Sequence, residues 1–162
     1  AIESINDDVT IKVIKGKKQA ETEVGNADVV IINYDLLAYI TQIGKFETVI
    51  LDEAHRIKNH KSKRTVACMK LMARIPRVYA LSGTPIPNRP IELFPLLSGL
   101  GYYRGGWYDF GLRYAKLWNA PWGLDTSGAS NLPELRELMK PFTLRRTKAD
   151  VLAERNKSNE QP

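Results

Sequence analysis

The chain has 162 residues and a mass of 18.3 kDa, enough for one domain that buries about two-thirds of the surface its unfolded form exposes. Its formal net charge of +6 and pI near 9.4 favour a nucleic acid or another anionic surface as partner and carry no information on fold. A single cysteine excludes a disulfide framework and a four-cysteine zinc site and fits a reducing compartment, and no apolar run approaches the ~18 residues of a membrane span.

The opening residues Ala1-Ile2-Glu3-Ser4 do not read as a signal peptide and include no initiator Met, so a piece of a longer protein is expected. Four β-rich apolar runs follow, at 9–14, 29–33, 48–52 and 78–82. The runs Val29-Val30-Ile31-Ile32 and Val49-Ile50-Leu51 are continuously apolar, the pattern of strands buried on both faces of a parallel sheet. Spacings of about twenty to thirty residues leave room for crossover helices. Helical patterns are predicted over 34–43, with Leu36, Leu37, Tyr39 and Ile40, and over 62–75, with Val66, Met69 and Met72 on one face and Ser62 as cap. The alternation implies an α/β fold, a doubly wound parallel sheet with flanking helices.

Beyond Ser82, a Pro-rich turn over 84–90 leads into a helix carrying Leu93, Leu96 and Leu97, which glycines at 99, 101, 105 and 106 interrupt. Residues 102–122 hold eight of the fourteen aromatics, and these are expected to pack a small subdomain rather than to stack on bases. A final helix is predicted from Leu132, Leu135, Leu138 and Met139, behind Asn131 and Pro133. The polar end is expected to fray. Cys68 reads as a core residue, and His60 has no partner at metal-ligand spacing.

The chemistry gathers at two strand ends. Asp52-Glu53-Ala54-His55 follows the run Val49-Ile50-Leu51, and ligands of open α/β sheets bind beyond the carboxyl ends of the strands. An Asp there can hold Mg²⁺ through water, and a neighbouring Glu can orient and deprotonate an attacking water. The plainer alternative is an acidic helix start favoured by the helix dipole. Leu81-Ser82-Gly83-Thr84-Pro85 follows the next run, and its two hydroxyls can relay a change at a nucleotide, or form an ordinary capped turn. Eight cations lie between Ala54 and Arg77 with no carboxylate among them. Lys63, Lys70, Arg74 and Arg77 fall at spacings that collect on one helix face. Lys58, Asn59, Lys61, Ser62, Lys63 and Arg64 suit phosphate rather than base contacts, the alternative being a solvated basic face.

Several segments together resemble the Swi/Snf-type DNA translocases of helicase superfamily two. Asp52-Glu53-Ala54-His55-Arg56-Ile57-Lys58-Asn59 resembles their second motif, Leu81-Ser82-Gly83-Thr84-Pro85-Ile86-Pro87-Asn88 their third, and Ile32-Asn33-Tyr34-Asp35-Leu36-Leu37 the short motif before both. Leu144-Arg145-Arg146-Thr147-Lys148-Ala149-Asp150-Val151 is similar to the arginine-rich segment leading to the second motor lobe. Phe110-Gly111-Leu112-Arg113-Tyr114 and Pro121-Trp122-Gly123 resemble the annealing-helicase, HepA-related branch.

The resemblance implies an incomplete P-loop NTPase, RecA-like lobe. Its divisions would be 1–100 for the later part of lobe one, 101–143 for a helical, aromatic-rich insertion, 144–152 for the arginine-rich segment and 153–162 for a tail. It further implies ATP and Mg²⁺ as cofactors, with Asp52, Glu53 and His55 catalytic and Ser82, Gly83 and Thr84 coupling. Arg145 and Arg146 would serve a lobe interface or a phosphate. DNA and a second RecA-like lobe are the implied partners, in an intracellular, reducing, nucleoid- or nucleus-associated setting. No G-x-x-x-x-G-K-[ST] occurs in the 162 residues, so no phosphate cradle is present. The fragment alone is expected to be inactive, and an incomplete sheet is expected to expose apolar edges and self-associate. A non-catalytic DNA-binding or regulatory remnant is the alternative, and an Asp/Glu/His metal hydrolase a third.

Overall fold

Parallel pairing organises the first eighty residues of the computed structural model, which describes residues 9–22, 24, 27–41, 43, 46–83 and 89–146. Strand β1 (Ile11–Ile14) pairs with β2 (Val29–Ile32), Ile11 opposite Val29 and Ile14 opposite Ile32. Helix α1 (Lys17–Thr22) connects them and buries Ala20. Strand β3 (Thr48–Leu51) pairs with β4 (Arg77–Ala80), Thr48 opposite Arg77 and Leu51 opposite Ala80. The crossover between them carries a 3₁₀-helix (Ala54–Ile57) and helix α2 (Lys63–Met72). Ser62 caps α2 as its sequence predicts: the Thr65 N–H donates to Ser62 Oγ at 3.3 Å, and the Ser62 hydroxyl donates to Thr65 Oγ1 at 2.8 Å. The second bond satisfies Thr65, a fully buried polar side chain.

Two expectations are corrected here. The segment after β2 is a short 3₁₀-helix (Tyr34–Tyr39), held at its start by Asn33 Oδ1 accepting from the Asp35 N–H at 2.7 Å. That Asx-type bond gives the backbone an alternative to the α-helix that the apolar spacing suggests. The strands, moreover, are covered on one face only. Lys12, Ile14, Val30, Ile32, Val49, Leu51, Val78 and Ala80 are buried or half-buried, whereas Ile11, Val13, Val29, Ile31, Ile50 and Tyr79 are exposed, Ile11 at 63%, Ile50 at 62% and Tyr79 at 55%. Within the described residues the two parallel pairs form separate ribbons, and no ladder joins β2 to β3. The continuous apolar runs therefore reflect a demand for cover on both faces that these residues meet on one.

The covered side holds the core. Leu51, Ala54, Ile57, Cys68, Leu71, Met72 and Ile75 pack with Leu37, and each fully buried Leu, Ile or Met contributes about 1.5–3 kcal/mol. Cys68 is wholly buried, and burial pushes its thiol up to about 12. After a 3₁₀-turn (Pro90–Leu93), helix α3 (Phe94–Gly99) lies close on α2. A Cβ on Gly99 would stand 2.1 Å from Met72 Cε, so a larger residue there would push the flexible tip of that side chain aside.

The aromatic stretch resolves into helix α4 (Trp107–Tyr114) and a hairpin of β5 (Trp118–Ala120) and β6 (Gly123–Asp125). Gly123 sits at φ 117°, which only glycine takes readily at the turn. Phe94, Tyr103, Phe110 and Tyr114 pack edge-to-face or tilted, with centroids 4.8–6.3 Å apart. Trp107 stacks on His60 at 4.4 Å. Burial, and then Lys61, hold His60 below its ordinary pKa. Trp118 and Trp122 meet each other but stay exposed.

Residues divide into two compact units, Ala1–Ser130 and Asn131–Pro162. The second contains helix α5 (Leu132–Met139), with Asn131 before it and Pro133 in its first turn, and a 3₁₀-turn (Lys140–Phe142). Among the described residues no helix is long and apolar enough to cross a membrane.

Two outcomes are expected. The 162-residue chain should bind an apolar dye and sediment as associated species, and Thr at Ile11, Ile31 and Ile50, which keeps β-branching, should reduce both with little change in unfolding midpoint. Unchanged association would show that the bare face is not its cause. Cys68 should react with a thiol reagent only as the chain unfolds, at the denaturant midpoint.

Candidate functional site

Pairing between β3 and β4 continues past both strands. The Leu81 N–H donates to the Leu51 carbonyl, and the Ala54 N–H donates to the Leu81 carbonyl, each at 2.8 Å. These bonds bring the segment after Leu51 beside Ser82 and Gly83. Asp52 and Glu53 occupy the turn, both exposed. The Glu53 N–H donates to Asp52 Oδ1 at 3.0 Å, and Glu53 lies at φ 51°, ψ 51°, a left-handed conformation unfavourable to a residue with a Cβ.

The His55 ring is the bridge. Its Nδ1 lies 3.2 Å from Ser82 Oγ and 3.1 Å from Glu53 Oε2. One imidazole edge thus touches a carboxylate on the β3 loop and a hydroxyl on the β4 loop. Of the residues expected to couple, Ser82 and Gly83 are brought to the site, with open space around Gly83; Thr84 lies outside the described residues.

Tyr34 belongs to the site and was not among the predicted site residues. Its hydroxyl donates to the Asp52 carbonyl at 2.6 Å, tying the end of β2 to the end of β3. Burial is the main cause that pushes its phenol up to about 12. The signal available was Asn33-Tyr34 directly after a continuously apolar run, because parallel strands deliver all their carboxyl ends to one edge.

A single exposed carboxylate at a strand end suits an Mg²⁺ ion that keeps most of its water and takes its other ligands from phosphates, so Asp52 fits the role expected of it. Among the described residues no three His, Cys, Asp or Glu side chains are placed to hold a metal ion together.

The basic run is less uniform than its sequence. Lys58 pairs with Glu92 at 3.6 Å, Arg64 with Asp35 at 2.7 Å, and Arg77 with Glu47. Asn59 Oδ1 accepts from the Lys61 N–H at 3.0 Å, and Ser62 caps α2, so both shape the turn. Lys61 and Lys63 are exposed. The expected single face of Lys63, Lys70, Arg74 and Arg77 is broken, because α2 ends at Met72 and Arg77 opens β4. In the second unit Arg145 and Arg146 are exposed after the 3₁₀-turn, and residues from Thr147 onward lie outside the described residues.

Tyr34→Phe should cost about 1 kcal/mol, the usual net worth of one hydrogen bond, read by urea unfolding. Raised folded-state values of Tyr34 and Cys68, against ordinary values of 10.0 and 9.0, favour the neutral forms. Their contribution is intact below pH 9 and is lost as pH rises towards about 12. Unfolding curves should therefore show stability falling over that window, and Tyr34→Phe should remove the part above pH 10.

Comparison with known proteins supplies the relatives. The SNF2-related domain family matches residues 2–161. SWI/SNF-related matrix-associated actin-dependent regulator of chromatin subfamily A-like protein 1 of Xenopus laevis is 35% identical over 155 residues, 93% of this chain and 16% of that protein. The Bos taurus protein of that name is 42% identical over 128 residues, 76% and 14%. The DNA annealing helicase and endonuclease ZRANB3 of Homo sapiens is 34% identical over 114 residues, 67% and 11%. The chain thus spans under a fifth of these proteins. Its fold matches the Sulfolobus solfataricus SWI2/SNF2 ATPase core, solved in complex with dsDNA, with a TM-score of 0.66 and 27% identity over 90% of this chain and 30% of that one. This match supports a RecA-like α/β arrangement, and the chain belongs to the SNF2-related domain family.

Proposed function

We propose that this chain is the later part of the first motor lobe of an ATP-dependent DNA translocase or annealing helicase. The carrying observation is the contact of His55 with both Glu53 and Ser82. Bound ATP and Mg²⁺ supply the phosphoanhydride and the charge neutralisation that hydrolysis needs. Asp52 would hold the Mg²⁺ ion. Glu53 orients and deprotonates the attacking water. His55, with Ser82, Gly83 and Thr84, passes the state of that carboxylate to the β4 loop.

Lys58, Lys61, Lys63 and Arg64 contact DNA phosphates, with Asn59 and Ser62 at the turn that presents them. Ion pairs at Lys58 and Arg64 are partly exposed and therefore weak, so a phosphate can compete for either cation. Arg145 and Arg146 face a second RecA-like lobe or a phosphate. The divisions at 100, 143 and 152 belong to this reading, as does residence with DNA in the nucleus or nucleoid.

The test uses the full-length parent protein. Glu53→Gln should lower DNA-stimulated ATP turnover by about 10²-fold or more, the range of general-base removal. Ser82→Ala should lower the stimulation by DNA more than the basal rate. ATP turnover that survives Glu53→Gln would overturn the reading and favour the non-catalytic remnant. The 162-residue chain alone should turn over no ATP, since it lacks the phosphate loop, and its duplex binding should be weak and fall steeply with salt.

A further inference from the structure

An open groove of about 480 Å³ runs between α2 and the segment after β2. Leu37, Ile40, Ile43, Val66, Ala67 and Leu71 give it an apolar floor, and Val66 is 38% exposed. Its rim carries Lys61, Lys63, Lys70 and Arg74, and no carboxylate lines it. The distribution of partners sharpens this. Lys58, Arg64 and Arg77, from the same basic run, are paired with acids, while the four rim cations have no carboxylate partner among the described residues. Positions 63, 66, 67, 70 and 71 recur at helical spacing on α2, so floor and rim run together for about 12 Å along it, and Arg74 continues the rim just past the helix end.

We propose that this groove docks an acidic, amphipathic segment of a partner protein, its apolar residues on the floor and its Asp or Glu side chains on the rim. Helix-in-groove recognition uses apolar anchors at this spacing, and opposite charge around the edge sets orientation and association rate. Duplex DNA is the less suitable occupant. Its phosphates would satisfy the rim but bury nothing against Val66 or Ile40, and DNA-contacting surfaces are polar. The proposal is separate from the DNA reading above, with which it shares Lys61 and Lys63.

The experiment uses the 162-residue chain and a fluorescent amphipathic peptide with Leu at i, i+4 and i+7 and Glu between. A scramble of the same composition and a labelled DNA duplex are the comparisons, all read by anisotropy. The amphipathic peptide should bind at least about tenfold tighter than the scramble. Val66→Ser, which removes apolar floor without changing charge, should weaken the peptide about fivefold and leave the duplex unchanged. Lys70→Glu with Arg74→Glu, both at exposed positions, should weaken the peptide by about tenfold or more. Equal binding of peptide and scramble, insensitivity to the charge reversal, or a duplex that loses as much as the peptide in Val66→Ser would each overturn the proposal. Should Val66→Ser disturb the fold, the charge reversal and the scramble decide.

Discussion

Two backbone hydrogen bonds hold the rest of the site in place. Leu81 N–H to Leu51 O and Ala54 N–H to Leu81 O carry the β3–β4 pairing one residue past β4 and on to Ala54, three residues past β3. A parallel ladder fixes register as well as proximity, because a slip by one residue would exchange the two faces. With that register set, His55 has Ser82 within reach and Glu53 lies on the same ring nitrogen. The Glu53 contact is local to its own loop, whereas the Ser82 contact spans 27 residues and depends on the ladder. Tyr34 adds a third strand end through the Asp52 carbonyl, so the acidic turn is held by backbone and phenol and its carboxylates remain exposed for chemistry.

Burial is lopsided around this ladder. The covered face carries the Leu51–Cys68–Met72 core, while the other face presents Ile50 and Tyr79 as neighbours in register. Stability therefore comes from one layer of helix on one layer of strand. Nothing about the site requires the second layer for its shape, since the determining bonds lie in the ladder and in the covered side. Solubility is a different matter, because apolar strand faces invite association.

Strand positions, the Ser62 cap, the Asp52–His55 turn, the burial of Cys68 and the last helix were all legible in the residues, because each depends on local pattern. The 3₁₀-helix at Tyr34 was not, since a single Asn33 side-chain bond overrode a helical spacing. Helix α4 and the β5–β6 hairpin were hidden in a segment whose aromatics and glycines have no single period. Sequence also could not divide the basic run. Which cations meet acids depends on Asp35, Glu47 and Glu92, each thirty or so residues away from its partner, and only tertiary structure brings them there. Tyr34 was missed for the same reason, being eighteen residues from Asp52.

Glu53 carries its carboxylate on a left-handed backbone. A left-handed glutamate costs about 1–2 kcal/mol relative to the right-handed region, and glycine at that position would be free of the cost. The turn therefore sets conformational comfort against carboxylate chemistry at one residue. Glycine at this position would therefore relax the turn, and it would also remove the carboxylate oxygen that lies 3.1 Å from His55 Nδ1.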